Sequence, residues 1–385
     1  MTVPQSPGVY VRETPLTPSI AGVGTSTAAF IGESDGANMP KDPDGEPYTL
    51  VDEGVPVPVT NWEQFKRQFG DFADDNMHLA HSVYGFFNNG GKRCWVARVS
   101  DLKKPAEVTA VLARMEAIDE IAIVAAPGAL NDAVRDALVN HCVKLKDRVA
   151  VLDGNNIKTI TVDAIKGAVQ NSDFAAIYFP WIEVADPQSK SGGRIAIPPS
   201  GLVAGIYARV DGERGVHKAP ANERVNGALG LTYPLSTAEQ DELNPKGINA
   251  IRLLNGTIRV WGARTMGGED NEAAGGIKYL NVRRLMNFLR ESIEEGTQFA
   301  VFEPNSDPLW QRITRSVNGF LTGVWRDGAL FGTVPEEAFR VICDETTNPT
   351  DVRESGQVVT EVWVAPVKPA EFVMFRIAQV NEIPA

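Results

Sequence analysis

The chain has 385 residues, 43% hydrophobic and 22% charged, with a net charge of −12 from 37 basic and 49 acidic side chains. That length accommodates two or three domains with a large core, and the acidic balance disfavours a nucleic-acid binder, which needs a basic face. No run approaches the roughly 18 apolar residues of a membrane-spanning helix. The three cysteines lack disulfide or zinc spacing, and the first residues lack the basic start and apolar run of a signal peptide, so cytoplasmic synthesis is expected.

Residues 1–24 form an extended arm punctuated by Pro4, Pro7, Pro15 and Pro18. Within it, 8–13 (GVYVRE) has strand composition and no local partner. The stretch 25–32 (TSTAAFIG) reads as a buried strand. From 33 to 60 seven acids face one lysine among glycines and prolines, the composition of an exposed loop. Its Asp42, Asp44 and Glu46 alternate like calcium ligands, but the sixth position, where a calcium loop needs glycine, is Pro47. Asn61 and Gln64 predict the capped start of a helix, and a second helix is expected over 76–88.

Alternation then sets in. Strands are expected at 94–99, 121–125, 148–152 and 175–179, with helices at 105–115, 131–146 and 164–170 between them. Continuous apolar strands alternating with amphipathic helices indicate βαβ units and a largely parallel sheet. A Pro/Gly-rich passage (187–201), a helix (202–211) and an irregular stretch (215–242) follow. Asn255-Gly256 predicts a hairpin between 250–254 and 257–261. Helices are expected at 280–294 and from Asp307-Pro308 onward, and strands at 299–303, 339–343 and 358–364. The fold class is thus α/β plus α+β: an arm (1–24), an α/β domain (25–240), an α+β domain (241–368) and a second arm (369–385).

That second arm contains 371–377 (EFVMFRI), again strand-like and unpaired, after Pro366 and Pro369. A strand leaves its N–H and C=O groups unsatisfied unless another strand accepts them. Two such ends predict a chain that links to copies of itself, through Val9, Tyr10, Val11 and Arg12 at one end and Phe372, Val373, Met374, Phe375, Arg376 and Ile377 at the other.

Catalytic patterns are weak. The loops after the parallel strands, at 126–128 and 153–155, match neither GxGxxG nor GxxxxGK[ST], so the phosphate-cradling backbone is missing. Ser200, His217 and Asp211 can be assembled into a triad only on paper, because Ser200 lies in PPSG rather than GxSxG. His78 and His81 have a permitted metal-ligand spacing but sit in an apolar helical pattern. No catalytic residue, cofactor or metal site is assigned. Two charged features point to partners instead. Asp211, Glu213, Arg214 and Lys218 suit an intersubunit polar network. Arg283, Asn287, Arg290 and Glu294 form a stripe opposite the apolar face of their helix, suited to docking a separate partner.

The chain resembles the contractile tail sheath proteins of bacteriophages and phage-tail-like injection systems. The resemblance covers nearly the whole chain. It is carried by Ser6–Val11 and 22–30 (GVGTSTAAF), by YFPW at 178–181, PPSG at 198–201 and 204–223 (AGIYARVDGERGVHKAPANE). In the last third it rests on 259–265 (RVWGART), 279–284 (YLNVRR), 302–305 (FEPN), 320–332 and 364–377. It implies a helical homo-polymer stacked around an inner tube, with baseplate and terminal cap proteins as further partners and neither nucleic acid nor membrane insertion involved. It implies that the more C-terminal domain, with the N-terminal strand, faces the tube and that the arms add strands to neighbours; the 280–294 helix, by its polar stripe, is the candidate tube-facing element. Assembly in the bacterial cytoplasm into a virion or tail-like particle follows from the same likeness. The alternatives are a non-contractile filament or shell subunit and a hydrolase on the α/β domain.

Overall fold

The computed structural model describes residues 20–374. The strand expected at 8–13, with Val9, Tyr10, Val11 and Arg12, lies outside them, as do Phe375, Arg376 and Ile377. The described residues divide into two compact units, one of 23–291 with 366–374, the other of 20–22 with 292–365.

The larger unit is a three-layer α/β/α structure. Its elements in chain order are β1 (Ala28–Glu33), β2 (Val57–Val59), α1 (Trp62–Phe69), α2 (Met77–Asn88), β3 (Cys94–Val99), α3 (Pro105–Met115), β4 (Ile123–Ala125), α4 (Asp132–Leu145), β5 (Val149–Asp153), α5 (Val162–Lys166) and β6 (Ala175–Phe179). Then come β7 (Ile182–Ala185), β8 (Arg194–Ile197), α6 (Ser200–Arg214), β9 (Glu223–Arg224), β10 (Gly230–Leu231), α7 (Thr237–Leu243), β11 (Ile248–Leu254), β12 (Thr257–Val260), α8 (Gly268–Ala273) and α9 (Leu280–Gly296). Nine strands form one sheet in the order β2-β3-β1-β4-β5-β6-β11-β12-β9. The run from β3 to β11 is parallel. Its strands are apolar throughout because helices cover both faces. Phe30, Val96, Val151 and Tyr178 meet Leu79, Phe86, Leu202 and Ile206 of α2 and α6 on one side. Ile31, Val124, Leu152 and Ile177 meet Val108, Leu112, Val134 and Leu138 of α3 and α4 on the other. Helices α2 and α6 touch backbone to backbone: a Cβ on Gly201 would lie 2.5 Å from Ser82 Cα.

The hairpin at Asn255-Gly256 forms as expected, with φ of 49° and 74° at the two turn residues, as a type I′ turn requires. It does not open a new domain. Strand β11 pairs in parallel with β6, Ile248 opposite Ile177, so the sheet runs on past the boundary expected near 240, and the chain leaves this unit only at Glu291. Two features in stretches without a predicted element are ordered: the β7–β8 hairpin with β10, and α7, whose Ser236 and Glu239 form a reciprocal capping box.

The smaller unit contains α10 (Asp307–Arg326), α11 (Pro335–Ala338), β13 (Phe339–Ile342), α12 (Thr350–Glu354) and β14 (Glu361–Val364). Pro308 opens α10, and Trp310, Ile313, Val317, Phe320 and Val324 make its buried stripe, as their spacing predicts. The strand expected at 299–303 is absent. A 3-10 turn spans Gln298–Ala300, and Phe302 has a φ of 64°, which breaks an extended run.

Candidate assembly site

Parallel strands present a row of unpaired backbone groups at their starts, and such groups need partners. In the larger unit α9 supplies them. Arg284 Nη2 donates to Thr25 O at 3.1 Å, ahead of β1. Asn287 Nδ2 donates to Arg148 O at 3.2 Å, ahead of β5. Arg290 Nη1 donates to Leu145 O at 3.3 Å, at the end of α4. Arg283 pairs with Asp173, ahead of β6, at 3.0 Å and stacks 4.3 Å from the Phe174 ring centroid. The helix therefore crosses the sheet's N-terminal edge. This corrects the reading of Arg283 and Asn287 as an exposed stripe: both are held within their own unit, and Asn287 is only 4% exposed. Arg290 and Glu294 are exposed.

Two ion-pair clamps tie separate sequence motifs to this region. In the first, Arg284 grips Asp211 with Nη1–Oδ1 at 2.9 Å and Nη2–Oδ2 at 2.6 Å. Thr25 Oγ1 donates to the same carboxylate at 2.6 Å, and the guanidinium lies 4.7 Å from the centroid of Tyr207. Both charged side chains are 3% exposed. In the second, Arg264 grips Glu371 with both contacts at 2.8 Å. Asn244 Nδ2 donates to Glu371 Oε1 at 2.8 Å. Burial alone would raise the Glu371 carboxyl, but Arg264, Asn244 and Tyr279 outweigh it and hold it below the usual range. Beyond Glu371, Phe372, Val373 and Met374 lie outside any strand and are exposed.

The polar segment expected between subunits is partly internal. Asp211 sits in the first clamp. Lys218 Nζ donates to Ala219 O, Ala221 O and Glu223 Oε1 at 2.7–3.0 Å. Glu213 and Arg214 remain exposed. No triad forms from Ser200, His217 and Asp211: Ser200 and Asp211 stand eleven residues apart on α6, about 16 Å along the axis, with Asp211 bound to Arg284.

At the sheet's opposite edge, where α/β folds bind ligands, the protein fills its own crevice. Leu79 packs against Gly32, and a Cβ on Gly128 would fall 2.1 Å from His78 Nδ1. Asp153, 2% exposed, accepts from Gly128 N at 3.0 Å, Ser200 N at 2.8 Å and Ser200 Oγ at 2.8 Å. Burial raises its carboxyl to about 6 against these donors. Because this folded-state value lies above the unfolded one, Asp153 contributes most to stability in acid, and that contribution fades as pH rises through about 6. Ser200→Ala removes a donor to the carboxylate and is expected to raise the Asp153 value further. A carboxyl-carbon NMR titration reads this directly, and a downward shift would refute the account.

In the smaller unit, β13 and β14 pair antiparallel from Phe339–Val364 to Ile342–Glu361. Among the described residues their sheet has only two strands, an arrangement of marginal stability alone. Trp363 and Phe331 are 63% and 73% exposed.

A model of the phage tail sheath protein central domain matches residues 104–266, and one of the phage tail sheath C-terminal domain matches 274–379. The chain is similar to the solved sheath complex of an extracellular contractile injection system, PVC, in its contracted state: 30% identity, TM-score 0.79, 99% of both chains covered. It is also similar to the contracted helical sheath of the anti-feeding prophage, with 28% identity and TM-score 0.76 over 98% of this chain and 100% of that one. A curated tail sheath protein of Vibrio phage KVP40 is 28% identical over 181 residues, 46% of this chain but 26% of the phage protein, so the chain spans about a quarter of that relative.

Proposed function

The chain belongs to the phage tail sheath family, and from that premise we propose that it is a structural subunit of a contractile sheath, polymerising helically around an inner tube and shortening to drive the tube through a target envelope. The observation that carries this reading is the full-length likeness to sheath subunits in the contracted state. One of these matches is an extracellular contractile injection system, covered over 99% of both chains at 30% identity, which favours a tail-like injection particle over a phage tail. Assembly begins in the bacterial cytoplasm, and baseplate and cap proteins close the polymer's ends.

The terminal arms donate strands to neighbouring copies. The two-stranded β13–β14 sheet is the acceptor, because it is short of strands among the described residues and Trp363 on β14 is exposed. A head-to-tail link of this kind generates an open helix rather than a closed ring. The exposed Glu213 and Arg214 contribute polar contacts between copies. Contraction runs on differences in subunit contact and needs no nucleotide or catalytic residue.

The unit of residues 292–365 faces the tube, and α9 takes part through its exposed Arg290 and Glu294. Arg290→Glu is expected to weaken co-assembly with the tube protein while leaving the subunit folded. Arg283→Glu would not test this, because it breaks the ion pair with Asp173 inside the subunit. Unchanged tube co-sedimentation of the Arg290 variant would remove α9 from the tube contact.

Electron microscopy of the expressed chain, alone and with its tube protein, tests the whole proposal. Hollow cylinders that shorten support a sheath. Smooth filaments of fixed form support a non-contractile polymer, and single particles with hydrolase turnover support an enzyme.

A further inference from the structure

We propose that the Arg264–Glu371 pair is a mooring that fixes where the C-terminal arm leaves the subunit, so that the strand beyond it is presented to a second copy from a set position. The inference rests on the reading of 372–377 as a donated strand. Arg264 is 3% exposed and its own backbone is locked: Asn249 Nδ2 donates to Arg264 O at 2.8 Å, and Arg264 N donates to Asn249 Oδ1 at 2.7 Å. The guanidinium is further tied to Asn244 O at 3.1 Å and Glu269 Oε1 at 3.3 Å. Its fork therefore points in one direction, and Glu371 meets it with both oxygens. Planar two-point contact fixes orientation as well as distance, which a lysine cannot do.

The change across this point is abrupt. Glu371 has a side-chain exposure of 21%, whereas Phe372, Val373 and Met374 are 68%, 69% and 88% exposed. Three apolar side chains in a row, bare to solvent directly after a buried-end ion pair, suit a segment held at its root and completed by another chain. Mooring the root raises the effective concentration of the strand at a neighbour's sheet edge. Nothing in the arm's own sequence supplies that restriction, because the nearest prolines, Pro366 and Pro369, precede the clamp.

The test uses the full-length chain carrying Glu371→Ala. Arg264 keeps Asn244 O and Glu269 in that variant, and circular dichroism checks that the subunit is folded at the assay temperature. A nitroxide on Met374→Cys reports the arm in subunits below the assembly threshold; the three native cysteines are buried. Assembly is measured separately on unlabelled protein by sedimentation. Glu371→Ala is expected to raise label mobility and to raise the critical concentration for sheath assembly about tenfold, with Glu371→Gln intermediate. Arg264→Lys is expected to behave like Glu371→Ala. Unchanged label mobility, or an unchanged critical concentration, overturns the mooring. Deleting 372–385 separates the two readings. If the deletion blocks assembly while Glu371→Ala assembles normally, the mooring alone fails. If the deletion itself assembles normally, the donated strand fails and the mooring's role falls with it.

Discussion

Removing residues 372–385 is expected to leave a folded subunit that no longer forms sheaths. A donated strand of about six residues gains about six backbone hydrogen bonds, on the order of 3–9 kcal/mol net, so its loss raises the assembly threshold by roughly a hundredfold to a millionfold. The site of the cut matters. A deletion that began at Glu371 would leave Arg264, 3% exposed, with only Asn244 O and Glu269, and losing the two-point partner of a buried charge destabilises the fold by itself. Cutting after Glu371 keeps the clamp and removes only the exposed segment. The N-terminal counterpart is deletion of 1–15, which spares Ile20, a buried residue packed on Gly296. Sedimentation velocity and electron microscopy read the polymer, and circular dichroism reads the fold. Normal sheaths from either truncation would show that strand exchange is wrong for that arm.

The α/β core was legible in the sequence because its signals are local. Continuous apolar strands such as Ala175–Phe179, the Asn255-Gly256 turn and the stripe from Trp310 to Val324 each announce one element. What the sequence concealed depends on partners distant along the chain. Residues 245–261 look like the start of a new domain, since a hairpin breaks the βαβ rhythm; only the pairing of Ile248 with Ile177 shows that it extends the existing sheet. The polar face of α9 misled for a related reason. Arginine and asparagine at helical spacing usually mark solvent, but here Arg283 pairs with Asp173 ahead of β6 and Asn287 bonds the carbonyl ahead of β5. A hint was available. Arg264, Tyr279, Arg284, Asp211 and Thr25 all lie in the motifs that carry the family likeness, and such charged residues in otherwise apolar stretches invite the question of which carboxylate they meet. Composition could not say that Asp211 meets Arg284 rather than a neighbouring subunit.

That pair makes the second strong prediction. Arg284→Met leaves the Asp211 carboxylate buried with Thr25 Oγ1 as its remaining side-chain donor. Breaking a buried pair by removing one partner costs about 3–5 kcal/mol, which for a unit of this size lowers the melting temperature by roughly 6–20 °C. The penalty belongs to the orphaned charge more than to lost attraction, so removing both charges should recover most of it. Arg284→Met combined with Asp211→Leu is therefore expected to melt well above Arg284→Met alone, as apolar replacements of buried pairs generally do. Thermal unfolding of the two variants decides the matter. If Arg284→Met melts like the parent, the pair does not hold α9 against the sheet edge. If the double variant is no better than the single one, the loss comes from the bond to Thr25 O and the Tyr207 stack, and the clamp works by packing rather than by charge. A folded double variant also isolates function from stability. With α9 still seated it should assemble normally, because neither arm has been touched.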